Sequence, residues 1–135
     1  MKSLVLRLLP GDALRPAIEA AVRAAGCEAA FVLSGIGSLD RAQLRLAGAE
    51  QVLDLAGELE ILSLAGSIAA NGSHLHISIA DASGRVLGGH AGPGCRVHTT
   101  AEILLALLPD WALRREPDAL TGYAELSTRR RSGPP

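Results

Sequence analysis

The chain has 135 residues, 48% of them apolar and 20% charged, with a formal net charge of −1 at pH 7. That length suits one domain with its own hydrophobic core, and the apolar share excludes a disordered chain. Near-neutral charge gives no long-range pull toward nucleic acid or an anionic membrane, and Phe31, Trp111 and Tyr123 are too few aromatics for a base-stacking platform.

Leu4, Leu6 and Leu8 alternate in SLVLRLLP and predict an opening strand stopped at Pro10-Gly11. Arg7 interrupts this apolar run and no small-residue cleavage site follows, so it is not read as a signal peptide. In DALRPAIEAAVRAAG, Leu14, Ile18, Val22 and Ala25 recur at helical spacing, with Asp12 or Arg15 at the start and Gly26 where a left-handed end is expected. Pro16 favours the later start, since proline costs little at the first helical position.

From CEAAFVLSGIGSL onward the period becomes 2, in short runs punctuated by glycine: AQLRLAG, QVLDLAG, LEILSLAGSIA, HLHISIA and RVLGGH. SGIGSLD reads as a tight turn at Gly35 and Gly37, because Asp40 stands where a dinucleotide fingerprint has its third glycine. A second helix is predicted at TTAEILLALL, where Thr99 and Glu102 have capping-box spacing and Pro109 ends the run. TGYAEL reads as a last strand. The expected architecture is α+β: a mostly antiparallel twisted sheet of about seven or eight strands flanked by two helices.

Residues 1–127 are read as the domain and 128–135 as a flexible tail, basic at Arg129, Arg130 and Arg131 and ending in prolines. The longest apolar run, ILLALL at 103–108, is far below the roughly 20 residues that span a bilayer. Cys27 and Cys95 belong to no C-x-x-C pair, which suggests a reducing compartment and hence a cytoplasmic protein.

Three of the four histidines fall in NGSHLHISIADASGRVLGGH, residues 71–90. In an extended strand His74, His76 and Ser78 share one face while Leu75, Ile77 and Ile79 point into the apolar layer. A three-residue turn, Ala82-Ser83-Gly84, pairs Asp81 with Arg85 and sets His76 opposite His90, bringing three imidazoles to one face. A four-residue turn would send His90 to the other face. An H-x-H pair alone is more often innocent than metallated; a third imidazole leaves the open fourth position of a catalytic zinc site.

His98 is read as a spectator or a supporting group, and Glu102 and Glu60 are the candidates for a catalytic base. Gly88, Gly89, Gly92 and Gly94 in GGHAGPGCRV lack the G-K-[ST] ending of a phosphate loop and are read as permitting close backbone packing around His90.

Taken together, LPGDAL, AAFVLSGIGSL, GELEILSLAGSIA, SHLHISIAD, GRVLGGH, CRVHTTAEILL and TGYAEL resemble, in the same order, the plants-and-prokaryotes conserved (PPC, or DUF296) domain family. The resemblance implies a compact fold that assembles as a homotrimer and, for a stand-alone prokaryotic member, a candidate DNA-binding protein. It implies a three-histidine metal site at His74, His76 and His90, and a partner-contact segment at Gly57, Glu60, Ile61 and Leu62. Glu58 and Leu59 stand where that segment has an arginine and a phenylalanine, and the AT-hook of the plant relatives is lacking.

Three functions are therefore expected in competition. The first is a DNA-binding or transcription-associated oligomerisation module carrying zinc or another divalent transition metal; the only phosphate contacts it offers are the tail arginines and the Arg114-Arg115 pair. The second is a zinc-dependent hydrolase or small-molecule sensor working through a metal-bound water. The third is an interaction module whose metal only pins the hairpin. No membrane partner is expected.

Overall fold

A computed structural model describes residues 1–48 and 50–132. In chain order it contains β1 (Lys2–Leu8), α1 (Leu14–Ala24), β2 (Ala30–Arg45), β3 (Val52–Ala69), β4 (Gly72–Ala80), β5 (Val86–Ala91), β6 (Arg96–Leu107), β7 (Trp111–Pro117) and β8 (Ala124–Arg130). Every strand pairing is antiparallel. Six strands form one sheet in the order β1-β6-β2-β3-β4-β5, and β5 also pairs with the end of β2, closing β2, β3, β4 and β5 into a ring. β7 and β8 form a separate ribbon.

The helix forms as its apolar spacing requires: Leu14, Ile18 and Val22 are buried and pack with Leu39, Leu44, Leu75, Ile79, Val97, Ile103 and Leu105 in one core. It starts at Leu14, so Pro16 is its third residue, where the missing N–H would have had no partner within the helix. The N-cap, Ala13, has no side chain that caps; the Leu14 N–H donates instead to the Cys95 carbonyl at 2.9 Å. Gly26 closes the helix with φ +67°.

Only one helix forms among the described residues, where two were expected. TTAEILLALL lies in β6, hydrogen-bonded to β1 on one side and β2 on the other. Ala101, Ile103, Leu105 and Leu107 are buried at every second position, and pairing on both edges satisfies a backbone that helical propensity alone would have coiled. The Thr99 hydroxyl bonds Ser38 Oγ at 2.5 Å rather than capping anything.

The expected turn at Gly35 and Gly37 is also corrected, for both lie inside the 16-residue β2. A Cβ on Gly37, at φ +148°, would meet the Thr100 carbonyl oxygen, so this glycine permits the close approach of β6, paired with it at Ala101. The short runs read on either side of it merge into β2 and the 18-residue β3.

The chain end departs from expectation as well. Thr121-Gly122-Tyr123 form a turn, with Gly122 donating to the Asp118 carbonyl, and the last strand runs on to Arg130. Thr128, Arg129 and Arg130 pair with Leu113, Ala112 and Trp111, so these residues of the presumed tail are strand, while Gly133, Pro134 and Pro135 lie outside the described residues. Leu113 anchors the ribbon in a second small core with Ala29 and Ala69.

Candidate metal centre

β4 places His74 and His76 on the face opposite to the buried Leu75, Ile77 and Ile79. The turn into β5 is the three-residue one: Gly84 takes φ +81°, and the Asp81 N–H donates to the Arg85 carbonyl at 3.0 Å. Asp81 Oδ1 further accepts from the backbone N–H groups of Ser83 and Arg85, each at 3.0 Å, which locks the loop length. His76 therefore stands directly opposite His90.

The glycines that flank His90 do pack closely. A Cβ on Gly88 would come within 2.9 Å of the Ile77 carbonyl oxygen, and one on Gly89 within 2.7 Å of that of Arg45.

The three rings converge. His74 Nε2 lies 3.0 Å from His90 Nδ1 and 3.0 Å from His76 Nε2, and the three ligand atoms all fall within 4.8 Å of one another. A ring nitrogen carries either one N–H or one in-plane lone pair, so His74 Nε2 cannot satisfy both neighbours by hydrogen bonding. A cation between them takes a lone pair from each. Nitrogens around a tetrahedral zinc are about 3.3 Å apart, so the two 3.0 Å separations would open by a few tenths of an ångström while the widest, within 4.8 Å, would close. The donor set fits a transition metal.

The electrostatics favour neutral, ligating imidazoles. His74 is held below the usual histidine range by burial first, then by the charges of His76, Arg115 and His90, with Glu125 opposing. His90 is held below it by burial, then by Arg45 and His76. Both shifts keep lone pairs free at neutral pH.

The triad borders a cavity of about 790 Å³, into which His74 and His90 face together with Arg15, Arg45, Arg115, Tyr123 and Glu125. Arg45 lies opposite His90 on the adjoining strand. Arg115 is brought in by the ribbon: Asn71 exchanges hydrogen bonds with its backbone at 2.7 and 2.8 Å, and its Nη2 donates to Ser67 Oγ, whose residue lies opposite His74 in the β3–β4 pair. Below the rim, Glu19 accepts from the Ser73 hydroxyl and pairs with Arg15 at 3.2 Å.

The other sequence candidates lie elsewhere. Glu102 is exposed on β6 opposite Arg7 and Ile36, and Glu60 is exposed on β3 opposite Ser38 and Ala80; neither lines the cavity. His98 is exposed on β6, where its charge acts on Asp40, and it is not part of the histidine group. In the segment 57–62, Ile61 is buried while Gly57, Glu60 and Leu62 are exposed. Sequence reasoning missed Arg45 and Glu125, and named Arg115 only as a DNA-phosphate contact. Arg45 reaches the site through a strand pairing, and the other two arrive on a ribbon that no local pattern ties to β4.

The sequence profile of the Plants and Prokaryotes Conserved (PCC) domain matches residues 1–109. The chain belongs to this family. As a PCC domain it is 50% identical over 121 residues, 90% of its length, to the bifunctional protein GlmU of Synechococcus sp. strain JA-3-3Ab, but it spans only 20% of that protein. A hypothetical protein from Salmonella enterica superposes with a TM-score of 0.93 at 39% identity, covering 97% of this chain and 95% of the other. A metal-containing protein from Archaeoglobus fulgidus superposes at 0.79 with 29% identity over 93% and 92%. A candidate DNA-binding protein from Ralstonia eutropha superposes at 0.76 with 27% identity over 91% and 89%. The PCC fold here thus carries a group of three histidines able to hold a metal.

Proposed function

We propose that this PCC domain is a metal-dependent small-molecule protein, binding one divalent transition metal, zinc in the first instance, through His74, His76 and His90. The observation that supports it best is the convergence of three ring nitrogens beside a 790 Å³ cavity that His74 and His90 line, a volume typical of small-molecule sites. The likeness to the metal-containing Archaeoglobus protein points the same way. Three imidazoles leave a zinc ion a position open to a ligand, and the ion there supplies Lewis acidity. Of the protein's own groups, Glu125 is the carboxylate on the cavity wall and the candidate to hold a proton, in place of Glu102 or Glu60. The test is elemental analysis of wild type beside His90→Ala: about one metal per chain, lost in the variant, is expected, and a metal-free wild type after reconstitution would sink the proposal.

A second reading, DNA contact, is favoured by one observation. Arg114, Arg129, Arg130 and Arg131 line a common cleft of about 410 Å³ at the ribbon, which Arg115 does not line. Glu28 takes up part of that charge by pairing with Arg131 at 2.5 Å. If the ribbon binds duplex DNA, Arg129→Gln with Arg130→Gln should reduce the log-log salt slope by about 2. A slope near zero in the wild type removes this reading.

The exposed aliphatics Val5, Leu33, Ile36 and Leu62 leave apolar surface uncovered on the sheet, and we assign them to a homotrimer contact. Leu62 would then belong to a self-contact rather than to a separate protein partner. Light scattering after gel filtration gives the subunit number. No helix of the described residues is long and apolar enough to cross a membrane, and with two unpaired cysteines the proposed location is cytoplasmic.

A further inference from the structure

We infer that the guanidinium groups of Arg45 and Arg115, on either side of the histidine triad, bind an oxyanion of the ligand, a phosphate or carboxylate group, and hold it in the cavity against the metal centre. This inference rests on the metal-centre proposal for the ligand's placement but not for its charge.

The two arginines have matching positions. Arg45 shares the strand face of His90, its direct cross-strand neighbour. Arg115 is fastened to Ser67, the cross-strand neighbour of His74. A group lying across the triad would therefore meet one guanidinium at each end.

Among the described residues neither guanidinium is held in an ion pair, although the charge of Glu125 acts on Arg115. Arg15, Arg85, Arg96 and Arg131 each form an ion pair, with Glu19, Asp81, Asp40 and Glu28. Among the described residues Arg45 and Arg115 form none, and Arg115 Nε is buried without any hydrogen-bond partner. A buried donor left unsatisfied is costly, and a guanidinium edge is shaped to give two parallel hydrogen bonds to a carboxylate or phosphate.

The balance of charge points the same way. Glu125 is the one carboxylate lining the cavity among the described residues, against Arg15, Arg45 and Arg115, and Glu19 offsets Arg15 alone. Even with Glu125 set against one of them, Arg45 and Arg115 leave net positive charge in a half-enclosed space, which an anionic ligand relieves with or without a cation at the triad. Neutral or cationic small molecules are disfavoured on the same ground.

The experiment is isothermal titration of zinc-loaded protein, freed of excess metal, with inorganic phosphate and separately with malonate. Wild type is compared with Arg45→Gln, Arg115→Gln, the double variant and the ribbon control Arg114→Gln. Metal per chain and the melting temperature are measured on every sample. Binding of at least one probe is expected in the wild type, weakened tenfold or more by Arg45→Gln, and unchanged by Arg114→Gln, at constant metal content. Which probe binds tells phosphate from carboxylate. Arg45 is exposed, so its variant stays informative if Arg115→Gln fails to fold. No binding of either probe to the wild type, or equal binding by the double variant, overturns the inference. A wild type that takes up no zinc counts against the metal centre alone, because phosphate titrated into that same metal-free protein still reads the arginine pair.

Discussion

His76→Ala separates the metal's contribution from that of the fold. His76 is the exposed member of the triad, so truncating it in the metal-free protein removes little packing and should move stability by no more than about 0.5 kcal/mol. The wild type, held at a free metal concentration of 100 times its dissociation constant, gains about 2.7 kcal/mol from binding that the unfolded chain does not share. For 135 residues the entropy of unfolding is about 0.28 kcal/mol/K, so the melting temperature should rise by about 10 °C. With only two imidazoles left, the variant should show a small fraction of that shift at the same metal concentration. Differential scanning calorimetry with zinc, cobalt and nickel in turn, and with a chelator as the zero point, measures it. Equal shifts in wild type and variant, or none with any of the three metals, would refute the triad as a metal site.

Three further outcomes follow from the same geometry. Because the fold holds His74 and His90 below the ordinary histidine value, it favours their neutral forms, and the unfolded chain binds protons more readily; the metal-free protein should keep its stability above about pH 6.5 and lose it as the pH falls below that. A His74→Ala variant should show a shallower loss, read as melting temperature against pH, and an unchanged slope would contradict the assigned cause. Gly66→Ala puts a Cβ 2.0 Å from the backbone carbonyl oxygen of His74 at a residue with φ +145°, so β3 must move off β4. A loss of about 2 kcal/mol or more in chemical denaturation, together with weakened metal uptake, is expected. One glycine inserted after Ser83 should shift the β4–β5 register by a residue, turn His90 away and leave the protein metal-free by elemental analysis.

The grouping of the three histidines was more legible in the sequence than the fold that carries it, and the reason is the range of the interactions involved. The register placing His76 opposite His90 is decided within a few residues, by a loop length that Gly84 and the Asp81 side chain announce. β6 is decided far away: TTAEILLALL satisfies helical and strand patterns alike, and only β1 and β2, paired on its two edges, choose between them. Gly35 and Gly37 misled in the same manner, since a glycine that makes room for a neighbouring strand looks locally like one that permits a turn.

That difference in range also explains what the histidines could not reveal alone. A hairpin brings the three histidines together, but two-residue spacing says nothing of what surrounds them. Arg45 reaches His90 only because β5 folds back onto β2, and Arg115 reaches His74 only because Asn71 at the β3–β4 turn grips the backbone of β7. The alternation on β7 then divides its two arginines: Arg114 joins the ribbon's basic cleft, and Arg115 turns to Ser67 and the cavity. Arg114 and Arg115 therefore line different cavities rather than one patch. On the proposed function, losing Arg115 should weaken anion binding at the histidine cavity while losing Arg114 leaves it unchanged, and a salt-dependent DNA affinity, if found, should fall with Arg114 and not with Arg115.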